Sequence, residues 1–117
     1  MAILLALSTM LPAQAEEDVR PYDDELFRLS EILGSIHYLR ELCGAKEGQL
    51  WREEMQGLLK TEGTSASRRI KLVRSFNKGY RNYRRTYRSC TRSAKTAVDR
   101  FLVEGTELAE TMLRVDE

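Results

Sequence analysis

Apolar residues recur at intervals of three and four in four successive stretches of this chain, and a glycine or a capping residue separates each from the next. The pattern admits helices and little else. In the first stretch Leu26, Leu29, Leu33, Ile36, Leu39 and Leu42 follow Asp23, Asp24 and Glu25, whose carboxylates suit the positive end of a helix and its unpaired amides, and Gly44 ends the run. The second extends from about Glu47 to Thr61 with Leu50, Trp51, Met55, Leu58 and Leu59 inward, and Gly63 closes it. Residues Thr64 to Ser67 form the best linker, and either serine can cap a third helix whose apolar face reads Ile70, Val73, Phe76, Tyr80, Tyr83, Tyr87 and Cys90. Thr91 or Ser93 restarts the chain into a fourth, with Ala94, Val98, Phe101, Leu102, Leu108, Ala109, Met112 and Leu113 inward. No alternating strand pattern intervenes. Short connections favour antiparallel neighbours, so the expected fold is all-α, a four-helix up-and-down bundle.

The front of the chain sets the expected compartment. Ala2 to Leu11 is small and apolar apart from Ser8 and Thr9, and Ala13-Gln14-Ala15 offers the small residues of a cleavage site. Residues 1–15 therefore read as a signal peptide, and residues 16–117 as a single exported helical domain. The apolar run falls short of the roughly 20 residues a membrane span requires. No cysteine stands at the cleavage site to carry a lipid. Cys43 and Cys90 are the only two cysteines, and an even count in an exported chain reads as one disulfide. The up-and-down order brings both to one pole of the bundle, and closing that loop stabilises the fold by about 4 kcal/mol in the chain-entropy account. Without a Cys-x-x-Cys motif, a redox-active pair has little behind it.

A net charge of +1 conceals strong segregation: residues 16–65 hold 6 basic and 12 acidic side chains, residues 66–100 hold 12 and 1, and residues 101–117 hold 1 and 5. The basic block is either neutralised internally, faces water, or attracts an anionic partner. Arg74, Arg81, Arg84, Arg85 and Arg88 are the candidate contacts for such a partner, an envelope protein or an anionic envelope component. Aromatic and basic residues alternate from Phe76 to Arg88, as in single-strand nucleic-acid binders. The spacing argues otherwise, because Tyr80, Tyr83 and Tyr87 share one helical face and the arginines fall to its sides.

Support for catalysis is thin. His37 is the single histidine, with no second ligand at metal spacing, so neither a metal nor a cofactor is expected. No nucleophile elbow or phosphate-binding glycine loop occurs. Asp23 and Asp24 are adjacent and diverge around a helix, which suits capping better than acid-base chemistry. Each expected helix has one glycine near its midpoint, Gly34, Gly57, Gly79 and Gly105. Close packing against bulky neighbours is the plainer explanation. A mid-level ligand cavity is the sharper one, with His37, Asn77, Tyr80 and Arg81 as its polar site.

Pro21-Tyr22-Asp23, Glu31-Ile32-Leu33-Gly34, His37-Tyr38-Leu39-Arg40, Leu42-Cys43, Trp51-Arg52 with Met55, Phe76-Asn77 with Gly79-Tyr80-Arg81, Tyr87, Cys90-Thr91 and Glu104-Gly105 occur in this order. With them, residues 21–110 resemble a family of small exported alphaproteobacterial proteins of unknown function. The resemblance implies a signal peptide, a helical domain, a cysteine pair and periplasmic residence, and brings no catalytic role to any position. Three functions remain in competition. One is a non-enzymatic binding or adaptor protein of the cell envelope. Another is a small-ligand binder or enzyme around His37 and Tyr80. The third is a structural protein whose acidic helices neutralise the basic one, internally or across a homodimer.

Overall fold

The computed structural model describes residues 18–115. The signal segment expected over residues 1–15 lies outside them. Four helices occupy most of the described chain: α1 (Asp23–Leu42), α2 (Leu50–Glu62), α3 (Ala66–Thr86) and α4 (Arg92–Val115). Among the described residues none of these helices is long and apolar enough to cross a membrane.

Local chemistry fixes the ends. Ser65 caps α3, its Oγ accepting from the Arg68 amide at 3.2 Å. Thr91 does the same for α4, accepting from the Ala94 amide at 3.1 Å. Gly44 and Gly48 take positive φ, +79° and +58°, which allows the chain to leave α1 and turn into α2. That turn delays α2 to Leu50, three residues after its expected start, because the Glu47 carboxylate is held by Arg40 and by the Trp51 indole, whose Nε1 donates at 2.7 Å. Asp23 opens α1 as expected but caps nothing within it. Its carboxylate instead accepts from the Arg20 amide and the Arg68 guanidinium.

The starts of α1 and α3 meet where Arg68 reaches Asp23, and their ends meet where the Tyr38 hydroxyl donates to the Tyr87 carbonyl. These two helices are therefore parallel. The end of α4 packs back near the start of α1, with Met112 beside the cluster that contains Leu26. The order is up, down, up, down, and the Cys43–Cys90 disulfide, spanning 47 residues, clamps one pole. α1 is the hub: it packs against all three others, most extensively α3, and among the described residues no Cα of α4 comes within 8 Å of α2 or α3.

The α1–α3 seam depends on two glycines. A Cβ on Gly34 would stand 1.9 Å from the Phe76 carbonyl oxygen, and one on Gly79 would stand 2.0 Å from that of Glu31. Both positions are backbone-on-backbone contacts that any side chain would force apart. Ser30 and Ser35 are buried on α1, their hydroxyls satisfied by the Leu26 and Glu31 carbonyls. Of the other midpoint glycines, Gly105 has only ordinary contacts with Ile32 and Leu29, and a Cβ on Gly57 would meet nothing within 4 Å among the described residues.

Two core clusters follow. Ile32, Ile36 and Leu39 meet Ala94, Ala97, Val98 and Phe101 toward the disulfide pole, and Leu26 meets Met55, Leu59, Leu72 and Phe76 toward the other. The inward face of α3 differs from the expected one: Arg68, Leu72, Phe76 and Gly79 are buried, whereas Ile70 and Val73 are exposed. The tight seam turns the helix so that its glycine, not its β-branched residues, meets α1. Leu50, Leu102 and Leu113, also expected inside, are exposed, because α2 and α4 each rest on the hub along a narrow strip.

Candidate functional site

Positive charge on α3 divides between two environments. Arg68 is 2 % exposed. Its guanidinium donates to both Asp23 oxygens at 2.8 and 2.9 Å, to the Glu62 carbonyl at 2.8 Å, to the Asp18 carbonyl at 2.9 Å and to the Glu62 carboxylate at 3.3 Å. Arg20 adds a second cation to Glu62 at 2.9 Å, and the Tyr22 hydroxyl donates to the same carboxylate. Burial and the neighbouring carboxylate raise the Tyr22 pKa, with Arg20 opposing. The network ties the chain's entry, the start of α1, the end of α2 and the start of α3 into one knot. A buried guanidinium is tolerated when it is paired and hydrogen-bonded in this way.

On the outer side of the helix the arrangement reverses. Lys71, Arg74, Lys78, Arg81 and Arg85 are exposed and repeat at intervals of three, four, three and four, which places them in one stripe about 21 Å long. Arg84 is also exposed and leans over the Tyr80 ring, 5.7 Å from its centroid. Arg88 lies beyond the helix end, exposed in the turn before Cys90. Among the described residues none of these seven cations has a carboxylate within 4.0 Å. The acids that make ion pairs serve other partners: Asp18 pairs with Arg20, Glu31 and Glu104 with Arg28, Glu47 with Arg40, and Asp23 and Glu62 with Arg68. All five arginines singled out in the sequence thus reach the surface. Lys71 and Lys78 join them, and the signal for both was the heptad-like interval.

Tyr80 and Tyr83 of α3, and Tyr87 just past its end, occupy the inner side. Tyr80 stacks edge-on with Tyr38 at 5.4 Å, Tyr83 meets Phe101 edge-on at 5.1 Å, and Tyr87 lies parallel to Tyr83 at 6.2 Å. Of the seven surface cations only Arg84, among the described residues, lies over one of these rings.

The four residues of the polar site are not gathered at one place. His37 is 5 % exposed and packs on Phe76 and Tyr80, with ring centroids 6.1 and 5.7 Å away. Burial, helped by Arg52, lowers its pKa, against a smaller opposing effect of Glu41. Its open edge meets a hollow of about 220 Å³ shared with Arg40, Glu47 and Trp51. Asn77 instead lines a separate hollow of about 160 Å³ between α2 and α3, and Arg81 stands on the outer stripe. Both volumes lie below the roughly 300–1,000 Å³ common for small-molecule sites. Among the described residues no group of three His, Cys, Asp or Glu side chains is placed to hold a metal ion.

The family described as protein of unknown function (DUF2385) matches residues 21–115. No curated protein and no solved structure matches the chain.

Proposed function

The chain belongs to the DUF2385 family, and from that footing we propose that it is an exported, non-enzymatic binding or adaptor protein of the cell envelope. It is released into the periplasm by cleavage after Ala15 and engages an anionic envelope component through α3. One observation carries the reading: the outer stripe and its neighbours Arg84 and Arg88 are exposed without a carboxylate partner among the described residues, although the chain has nearly as many acids as bases. A linear array of unpaired cations steers an anionic partner and fixes its register. Cys43 and Cys90 in a disulfide fit an oxidising compartment. The reading around His37 and Tyr80 has less support, since those rings pack on one another while Asn77 and Arg81 open elsewhere.

Site-specific photocrosslinking from position 84 in the native host tests it. Capture of an envelope component, lost on combining Arg81→Glu with Arg85→Glu, is the expected result. Capture of nothing, or capture indifferent to the reversal, sinks the reading. N-terminal sequencing of the exported protein, expected to begin at Glu16, checks its route.

A further inference from the structure

Gly57 lies inside α2, exposed, with nothing within 4 Å of where its Cβ would stand. Unlike Gly34 and Gly79 it admits no neighbour from its own fold, yet it weakens the helix relative to alanine. It borders a hollow of about 460 Å³ with Gln56, Lys60 and Arg69, and Gln56 joins that hollow to the one floored by Met55, Leu59, Val73 and Phe76. The two hollows share Gln56 and lie along the groove between α2 and α3. Every charged side chain lining it is a cation: Arg52, Lys60 and Arg69. Val73, 40 % exposed, leaves apolar surface on its wall.

We propose that this groove receives an acidic amphipathic helix of a partner protein. Its carboxylates meet Arg52, Lys60 and Arg69, its apolar side chains pack over the exposed Val73 at the mouth of the hollow floored by Met55, Leu59 and Phe76, and its backbone passes over Gly57. The inference deepens the reading above and rests on it for the anionic character of the partner. Shape decides between anions. A headgroup surface touches the crest of α3 and cannot descend between two helices, and an anionic polymer has no apolar knobs to fill the floor. A helix with anchors at i, i+3 or i+4 and i+7 does both. The groove beside residues 52–60 is about 12 Å long, room for two turns of such a helix.

The test is fluorescence anisotropy on the exported protein with two labelled helical peptides of equal negative charge, one carrying leucines at those anchor positions and one carrying alanines. The leucine peptide should bind at least about tenfold more tightly, the worth of one or two buried leucines. Gly57→Gln should raise Tm by a few degrees through helix propensity while reducing the leucine peptide to the level of its control. Arg81→Glu with Arg85→Glu should weaken both peptides alike. Equal binding of the two peptides, no effect of Gly57→Gln, or binding only to phosphatidylglycerol vesicles overturns the groove. Vesicle binding lost on the double reversal would leave the arginine stripe standing without it. Loss with Gly57→Gln but not with the reversal would keep the groove and discard the stripe.

Discussion

Arg68 and Arg85 stand on the same helix and carry the same charge, yet Arg68 is sealed beneath two carboxylates and two carbonyls while Arg85, among the described residues, has no carboxylate within 4.0 Å. The inner side of α3 is likewise its most closely packed, with Gly79 against the backbone of α1, and the outer side is exposed. A cation that folding draws out of water has to be matched with fixed geometry, because an unpaired buried charge is too costly to keep. A cation left in water has no such requirement. The contrast separates arginines that hold the fold from arginines the fold leaves available.

The contrast breaks most visibly at Arg68. Arg68→Met should cost about 3–5 kcal/mol, since it strands Asp23 and two carbonyls at a buried junction of four chain segments. In a domain of this size that lowers Tm on the order of 15 °C or more, read by thermal circular dichroism. Gly79→Ala comes next. Its methyl would stand 2.0 Å from the Glu31 carbonyl oxygen, so the seam must open, and overpacking of about 1–3 kcal/mol outweighs the gain in helix propensity. The same substitution at Gly57, where nothing lies within 4 Å, should stabilise by up to about 1 kcal/mol. Urea midpoints moving in opposite directions would establish the two environments. Movement in the same direction would dissolve the distinction.

Much of this was legible before any coordinates. The four helices follow from spacing and terminal chemistry, which act over a few residues, and the Cys43–Cys90 pairing from there being two cysteines alone; the caps narrowed to two candidates each, of which Ser65 and Thr91 are the ones used. What escaped depends on neighbours distant in sequence. Ile70 and Val73 looked inward because hydropathy ranks them above glycine and arginine, yet the approach of α1 turned Gly79 and Arg68 inside instead. Ser30 and Ser35 are buried because α1 is covered on several sides, a hub position that the sequence of one helix does not announce. The surface arginines were identifiable as a block, but their freedom from acids could be read only once Asp23 and Glu62 were seen to be occupied by Arg68.

His37 sharpens the boundary between the two sides, since it faces Phe76 and Tyr80 from α1, with Arg52 of α2 and Glu41 of α1 as the charges acting on it. Burial favours its neutral form, so its folded pKa lies below the ordinary value of 6.5. Over that interval the unfolded chain binds the proton more readily. Stability is therefore complete above pH 6.5 and falls as the pH drops through the folded value. His37→Gln should remove this component of the slope, by an amount smaller than either loss above, in urea midpoints measured between pH 7.5 and pH 5. A wild-type curve that rises on acidification through this interval, with the rise abolished in the variant, would show that the imidazolium is the favoured form.

The smallest expected change in stability belongs to the outer side. Arg81→Gln with Arg84→Gln and Arg85→Gln removes three exposed cations that, among the described residues, hold no carboxylate in place. Surface substitutions of this kind stay within about 0.5 kcal/mol, and here relief of like-charge repulsion works against the loss of Arg84 and Arg85 from the last turn, where cations complement the helix dipole. Arg81 and Arg85 are like charges at i and i+4, as are Lys78 and Arg74 at the preceding interval, and such pairs oppose the helix by roughly 0.2–0.5 kcal/mol each. Relief of that repulsion should grow at low ionic strength and vanish in high salt, where exposed charges are screened. If the triple variant instead lost more than about 1 kcal/mol, these arginines would be structural, and the two sides of α3 would differ in exposure alone.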